Sequence, residues 1–118
     1  MFGGHPEDHG RREGLRYLGY WRTRDRRFRD PRPDPKDFVD LSWDPAERAR
    51  VVLHLRAGAT VFTWVGSSTC RFCGLRPCGW SDLTDGVYGW PEGLAHYVDD
   101  HGLRPPDEFV RHVLNFLP

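Results

Sequence analysis

The sequence contains no long apolar segment and almost no lysine. No stretch approaches the roughly 18 uninterrupted apolar residues of a membrane-spanning helix. The start of the chain, MFGGHPEDHGRREG, lacks the apolar centre of a secretion signal. We therefore expect a cytoplasmic protein with no membrane partner. Lys36 stands alone beside 16 arginines, a bias typical of a GC-rich coding genome, so we interpret the chain as bacterial.

The motifs of several enzyme classes are also absent. The chain has no phosphate-binding loop, no G-x-S-x-G segment and no H-E-x-x-H segment. Its 17 basic and 17 acidic residues cancel, so net charge favours neither nucleic acid nor an anionic membrane as a partner. The sequence therefore predicts a protein that is not an enzyme. No small-molecule substrate is inferred, and the expected partner is another protein.

The 118 residues are enough for one compact domain. Residues 1–14 are rich in glycine and charge and show no hydrophobic rhythm, so they predict a flexible N-terminal arm. Residues 15–118 then form a single zinc-binding domain. We predict an α+β fold with three helices and a short antiparallel sheet, organised around one structural zinc ion.

Local patterns place the elements of this fold. In chain order they predict a helix over about 44–57, a strand over about 59–66, a tight hairpin turn at 85–86, a helix over about 91–101 and a last helix over about 106–117. Asp44 is the expected N-cap of the first helix. We expect Ala49, Val52, Leu53 and the stem of Arg56 to share the buried face of that helix. Gly102 is the expected end of the second.

Cys70 and Cys73 form a C-x2-C pair at the end of the predicted strand, and Gly74 follows at once. Such a turn directs two thiolates to one centre. His96 and His101, with four residues between them, lie in the second predicted helix and complete the pattern C-x2-C-x22-H-x4-H. The spacing of the histidines is that of a structural zinc site. The sequence therefore predicts that these four side chains bind Zn²⁺.

Cys78 is an alternative ligand. On an ideal helix His96 and His101 would be about 140° apart, which is too far to share one ion easily. The helix must therefore end near His101, as Gly102 and the prolines after it favour. If the helix continued, the ligand set would be Cys70, Cys73, Cys78 and one histidine.

Four protein ligands close a tetrahedral shell and leave no position for water, so the predicted ion is structural. A crosslinking ion also suits a C-terminal half that is rich in glycine and proline and short of aliphatic residues. A site with only three protein ligands would instead admit an enzyme with an open zinc position.

An arginine and aromatic segment, residues 15–32, supports an alternative hypothesis. Guanidinium groups can follow a phosphate backbone while aromatic rings stack on bases. In this alternative the protein is a zinc-supported nucleic-acid binder. The residues that would carry the binding are Arg22, Arg24, Arg26, Arg27, Arg29, Tyr20 and Trp21. A solvated, salt-bridged face with its aromatics turned inward explains the same segment.

The segments CRFCG and LTDGVYGWPEGLAHYVDDHGLRPPDEFV are similar to those of small uncharacterised bacterial proteins with a CxxCG knuckle and a WPEGLxHY helix. The likeness covers residues 44–110. It implies a recurring module and carries over no catalytic residue. The chain also resembles treble-clef zinc folds, although those take both late ligands from the first turn of their helix. We thus predict a non-enzymatic protein-interaction or regulatory module, of the immunity or antitoxin type.

Overall fold

The computed structural model describes residues 14–23, 27 and 29–116. In these residues the chain forms β1 Arg16–Tyr17, α1 Pro45–Arg56, β2 Ala59–Ser68, β3 Gly79–Thr84, β4 Tyr88–Pro91, α2 Leu94–His101 and α3 Asp107–Leu114. A short 3-10 helix, Pro35–Phe38, precedes α1. The predicted α+β fold with three helices is thereby confirmed. The predicted arm, residues 1–14, lies outside the described residues except for Gly14, which is exposed.

The four strands form one sheet in the order β1-β4-β3-β2. β2, β3 and β4 are antiparallel neighbours, as predicted, and Leu83 faces Trp90 across the hairpin. The turn between β3 and β4 contains Gly86 at a φ of 98°, a conformation that glycine adopts without strain. β1 adds a parallel edge beside β4, which the sequence did not predict because two residues are too few to show a period.

Helix α1 begins where the sequence predicts. The Asp44 side chain accepts a hydrogen bond from the N–H of Glu47, and Pro45 occupies the first turn. The prediction of the buried face is partly wrong: Val52 is buried, but Ala49 and Arg56 are exposed and Leu53 is 69% exposed. Val51 and Leu55 are buried in its place, because α1 turns this edge toward α2 and α3.

The two later helices are shorter than predicted. Pro91 belongs to β4, and the strand ladder continues as the N–H of Glu92 donates to Ser81 O at 2.8 Å. α2 therefore begins only at Leu94. α3 ends at Leu114, and Leu117, the last residue of the predicted range, lies outside the described residues. No helix in the described part of the chain has the length and apolar composition needed to cross a bilayer.

Trp90 forms the centre of the core and joins the helices to the sheet. It is fully buried, its Nε1 donates to Leu55 O at 3.1 Å, and its ring lies 5.9 Å from that of Phe109. A Cβ at Gly58 would lie 2.7 Å from the indole, so the chain approaches it closely at that position. Burial of each such large side chain contributes roughly 1.5–3 kcal/mol. α1 and α3 are thereby fixed against β4.

Candidate metal centre

The loop between β2 and β3 forms a tight knuckle around Cys70. The Cys70 N–H donates to Leu75 O at 3.0 Å, and the Gly74 N–H donates to Cys70 O at 3.0 Å. Gly74 has a φ of 76°, so the predicted glycine turn is present. The N–H of Phe72 points at Cys70 Sγ at 3.4 Å. These bonds direct the thiols at 70 and 73 toward α2.

Helix α2 supplies the two imidazoles and ends as the ligand hypothesis requires. His101 is its last residue, and Gly102 adopts a left-handed φ of 68°. Its N–H donates to Tyr97 O, which closes the last turn. Because the helix ends there, the side chain of His101 is directed toward His96, and their Nε2 atoms lie 3.3 Å apart.

The predicted side chains Cys70, Cys73, His96 and His101 come together, and their ligand atoms all lie within 4.8 Å of one another. Cys73 Sγ is 3.3 Å from His96 Nε2. Tetrahedral zinc with bonds of about 2.05 Å to nitrogen and 2.3 Å to sulfur sets two nitrogens about 3.4 Å apart, and a nitrogen and a sulfur about 3.6 Å apart. The spacing of the donor atoms therefore fits one metal ion.

Further contacts orient the ligands. Asp100, one turn after His96, places Oδ2 3.2 Å from His96 Nδ1. A carboxylate on the far nitrogen fixes the orientation of a metal-binding imidazole and raises its basicity. The ring of Phe72 stacks on His101 with centroids 4.8 Å apart. Sequence reasoning missed Asp100, although its i,i+4 spacing from His96 was visible.

Burial keeps the histidine at 101 and the cysteine at 70 in their uncharged forms in the metal-free chain. Burial, with the charge of His96 as a smaller contribution, lowers the pKa of His101. Burial also raises the pKa of the Cys70 thiol, which is 1% exposed. A neutral imidazole is the form that binds metal. Deprotonation of a buried thiol requires a cation beside it, which a bound metal ion would supply.

The structure leaves Cys78, the alternative ligand, outside the group of four. Its Sγ lies 3.9 Å from Gly93 O, and burial raises the pKa of the thiol to about 11. A Cβ at Gly93 would lie 2.6 Å from this sulfur. Cys78 thus packs against the start of α2.

The segment of the nucleic-acid hypothesis is only partly described, since Arg24 and Arg26 lie outside the described residues. Trp21 is 6% exposed and its ring packs against Phe38 and Tyr97, so it is not free to stack on a base. The remaining candidates are described as follows. Tyr20 donates to Asp82, Arg22 donates to Arg32 O, and Arg27 and Arg29 are exposed.

No protein-family model, curated protein or solved structure matches this chain. The resemblance to the CxxCG proteins and to treble-clef folds stays a prediction. The chemistry of the centre follows from its own donor atoms and distances.

A second cluster, which sequence reasoning missed, joins His54, Asp85 and His112. Each histidine places Nε2 2.7 Å from Asp85 Oδ2. The three residues come from α1, the β3–β4 turn and α3, so no local spacing links them. Only the packing of these elements brings them together.

Proposed function

We propose that the protein binds one structural Zn²⁺ ion through Cys70, Cys73, His96 and His101 and acts as a non-enzymatic protein-binding module. The convergence of these four ligand atoms within 4.8 Å carries the proposal. Two thiolates with two imidazoles form a donor set that zinc prefers in tetrahedral sites. Four protein ligands complete that shell, so the ion would stabilise the fold without activating water.

The place of the centre in the fold supports a structural role. The knuckle joins β2 to β3, and the histidines end α2, so one ion would crosslink the sheet to a helix. A domain of this size buries a limited core, and metal binding then contributes directly to the free energy of folding.

The surface that suits a protein partner is β2. This strand lies at the edge of the sheet and contains no charged residue. Val65 is fully exposed, and Phe62 and the neighbouring Trp80 are 38% and 48% exposed. An edge strand offers unpaired backbone groups to an added strand, while alternate side chains give specificity. The absence of charge on β2 favours a protein segment over nucleic acid.

The first experiment measures metal content by mass spectrometry on protein purified without a metal-affinity column. We expect about one zinc ion per chain at the thiolate site, removable by a strong chelator. Removal should lower the melting temperature by more than about 10 °C, because metal binding is coupled to folding. Readdition of Zn²⁺ should restore it. Metal-free protein that melts at the same temperature with and without added Zn²⁺ would overturn the proposal.

A further inference from the structure

The second cluster, His54, Asp85 and His112, lies at the opposite end of β3 from the four candidate zinc ligands, which we call the Cys70 centre. His54 Nε2 and His112 Nε2 both point at one oxygen, Oδ2 of Asp85. The three ligand atoms lie within 4.8 Å of one another. Two imidazoles and a carboxylate are a common donor set of mononuclear transition-metal sites.

The backbone fixes the carboxylate of Asp85. Its other oxygen, Oδ1, accepts hydrogen bonds from the N–H groups of Val87 at 2.9 Å and Tyr88 at 2.8 Å. Oδ2 is thereby left to face the two imidazoles. Carboxylates that ligate metals are held in this way by hydrogen bonds to their outer oxygen.

The cluster carries a buried negative charge. The Asp85 side chain is 4% exposed, and the imidazoles of His54 and His112 are 12% and 20% exposed. No lysine or arginine of the described residues forms an ion pair with Asp85. A buried carboxylate without an arginine or lysine partner therefore favours a bound cation.

A cavity of about 400 Å³ adjoins the cluster, and His54 and Asp85 form part of its wall. Much of the remaining wall consists of small residues. The other lining residues are Ala57, Gly58, Ala59, Thr84, Gly86 and Phe116. The space is sufficient for water or for a small exogenous ligand.

We propose that His54, Asp85 and His112 bind a second divalent transition-metal ion, with at least one coordination position open to this cavity. Metal bonds of about 2.0–2.2 Å place donor atoms about 3 Å or more apart, so the side chains separate by a few tenths of an ångström on binding. This site has an open coordination position, whereas the four protein ligands of the Cys70 centre close its coordination shell. It is independent of the thiolate centre and needs no cysteine.

Titration with Co²⁺ tests the proposal on the full chain after removal of bound metal. The titration is run at about pH 8, where imidazoles are neutral. We expect two Co²⁺ ions per chain. One gives the sulfur-to-cobalt charge-transfer absorption of the thiolate centre, and the other gives ligand-field absorption without that band. Binding of a single ion, with the charge-transfer band, would overturn the second site.

The variants Asp85→Asn and His112→Gln identify the ligands. Each should lower the stoichiometry from two ions to one, or weaken the second site by more than the roughly 10- to 100-fold caused by loss of an outer-shell partner. Asn at 85 retains the oxygen that accepts from Val87 and Tyr88. A cooperative thermal unfolding transition like that of the wild-type chain shows that each variant is folded, and the charge-transfer band shows that its first ion is still bound.

Asp107→Asn is the matched control, because it makes the same change on an exposed carboxylate of α3. It should keep both ions. If Asp85→Asn also keeps both, the assignment is overturned. If the wild-type chain binds one Co²⁺ ion and shows no charge-transfer band, only the zinc proposal for Cys70 and its partners is contradicted.

Discussion

Cys73 and Cys78 differ in exposure and in partners, and they give a direct test of the ligand set. Cys73→Ser should remove most of the zinc affinity and lower thermal stability, because a thiolate ligand is lost from a site that contributes to folding. Cys78→Ser is the matched control, since its sulfur lies outside the group of four. We expect it to retain one zinc per chain, as measured by mass spectrometry. Equal metal loss in both variants would contradict the proposed set.

Asp30 holds the segment before the short 3-10 helix. Arg32 Nε donates a bifurcated hydrogen bond to the two carboxylate oxygens, at 2.9 and 3.2 Å, and Arg32 Nη2 donates another at 2.7 Å. The N–H of Thr23 donates to the same carboxylate at 2.8 Å. The side-chain bond from Arg32 is the main reason that the pKa of Asp30 lies well below its ordinary value of 3.8.

Asp30→Asn should therefore cost about 1 kcal/mol at neutral pH, a small value because Arg32 is partly solvated. The pKa of Asp30 is lower in the folded state than in the unfolded state, so its ionised carboxylate stabilises the fold at any pH above the unfolded-state pKa. This stabilisation is lost as pH falls through the folded-state pKa. The difference in the free energy of unfolding between Asp30→Asn and wild type should stay constant from neutral pH down to about pH 5. It should narrow below pH 3.8. Denaturant unfolding at several pH values measures it. A difference that grows in acid would contradict the assignment.

At the scale of elements, the end of α2 determines the geometry of the centre. Gly102→Ala forces a side chain into a left-handed φ of 68°, and its Cβ would lie 2.8 Å from Leu41 Cδ2. We expect a loss of about 1–2 kcal/mol in the free energy of unfolding. Zinc affinity should fall too, because His101 loses its position. Chemical denaturation and competition with a metal indicator measure the two effects.

Gly66→Ala is the control for this prediction. Gly66 has no left-handed φ, and nothing lies within 4 Å of an added Cβ. It should leave both quantities unchanged. Equal effects of the two substitutions would show that the end of α2 does not position His101.

Elements with strong local signals could be predicted, and those set by packing could not. The cap of α1, the end of α2 and the C-x2-C and H-x4-H spacings each depend on residues close together in the sequence, so the sequence alone predicts them. The rotation of α1, which buries Leu55 and exposes Leu53, depends on α2 and α3. The cluster at Asp85 required three packed elements, and β1 was too short to show a period.

At the scale of the whole molecule, the exposed edge β2 is the surface where a partner strand would add. Val65→Lys should leave the free energy of unfolding within about 0.5 kcal/mol, because its side chain is fully exposed. It should nevertheless abolish partner binding, since a charge at an edge strand opposes strand addition. Affinity capture from a lysate of the source organism, followed by a binding titration with the captured protein, measures this.

Leu53→Lys is the matched control, because Leu53 is also an apolar residue and is 69% exposed on α1. It should keep the partner that Val65→Lys loses. A partner lost by both variants, or by neither, would show that β2 is not the binding edge. Binding to nucleic acid that weakens steeply with salt would instead favour the arginine hypothesis.

The position of the metal ligands along the chain has a consequence for folding kinetics. All four lie within residues 70–101, a continuous stretch that contains the β3–β4 hairpin and α2 but not α1 or α3. Short loops close with little loss of chain entropy, and local contacts form early. Zinc should therefore bind to this stretch before α1 docks and accelerate folding, whereas loss of contacts to α1 should mainly accelerate unfolding.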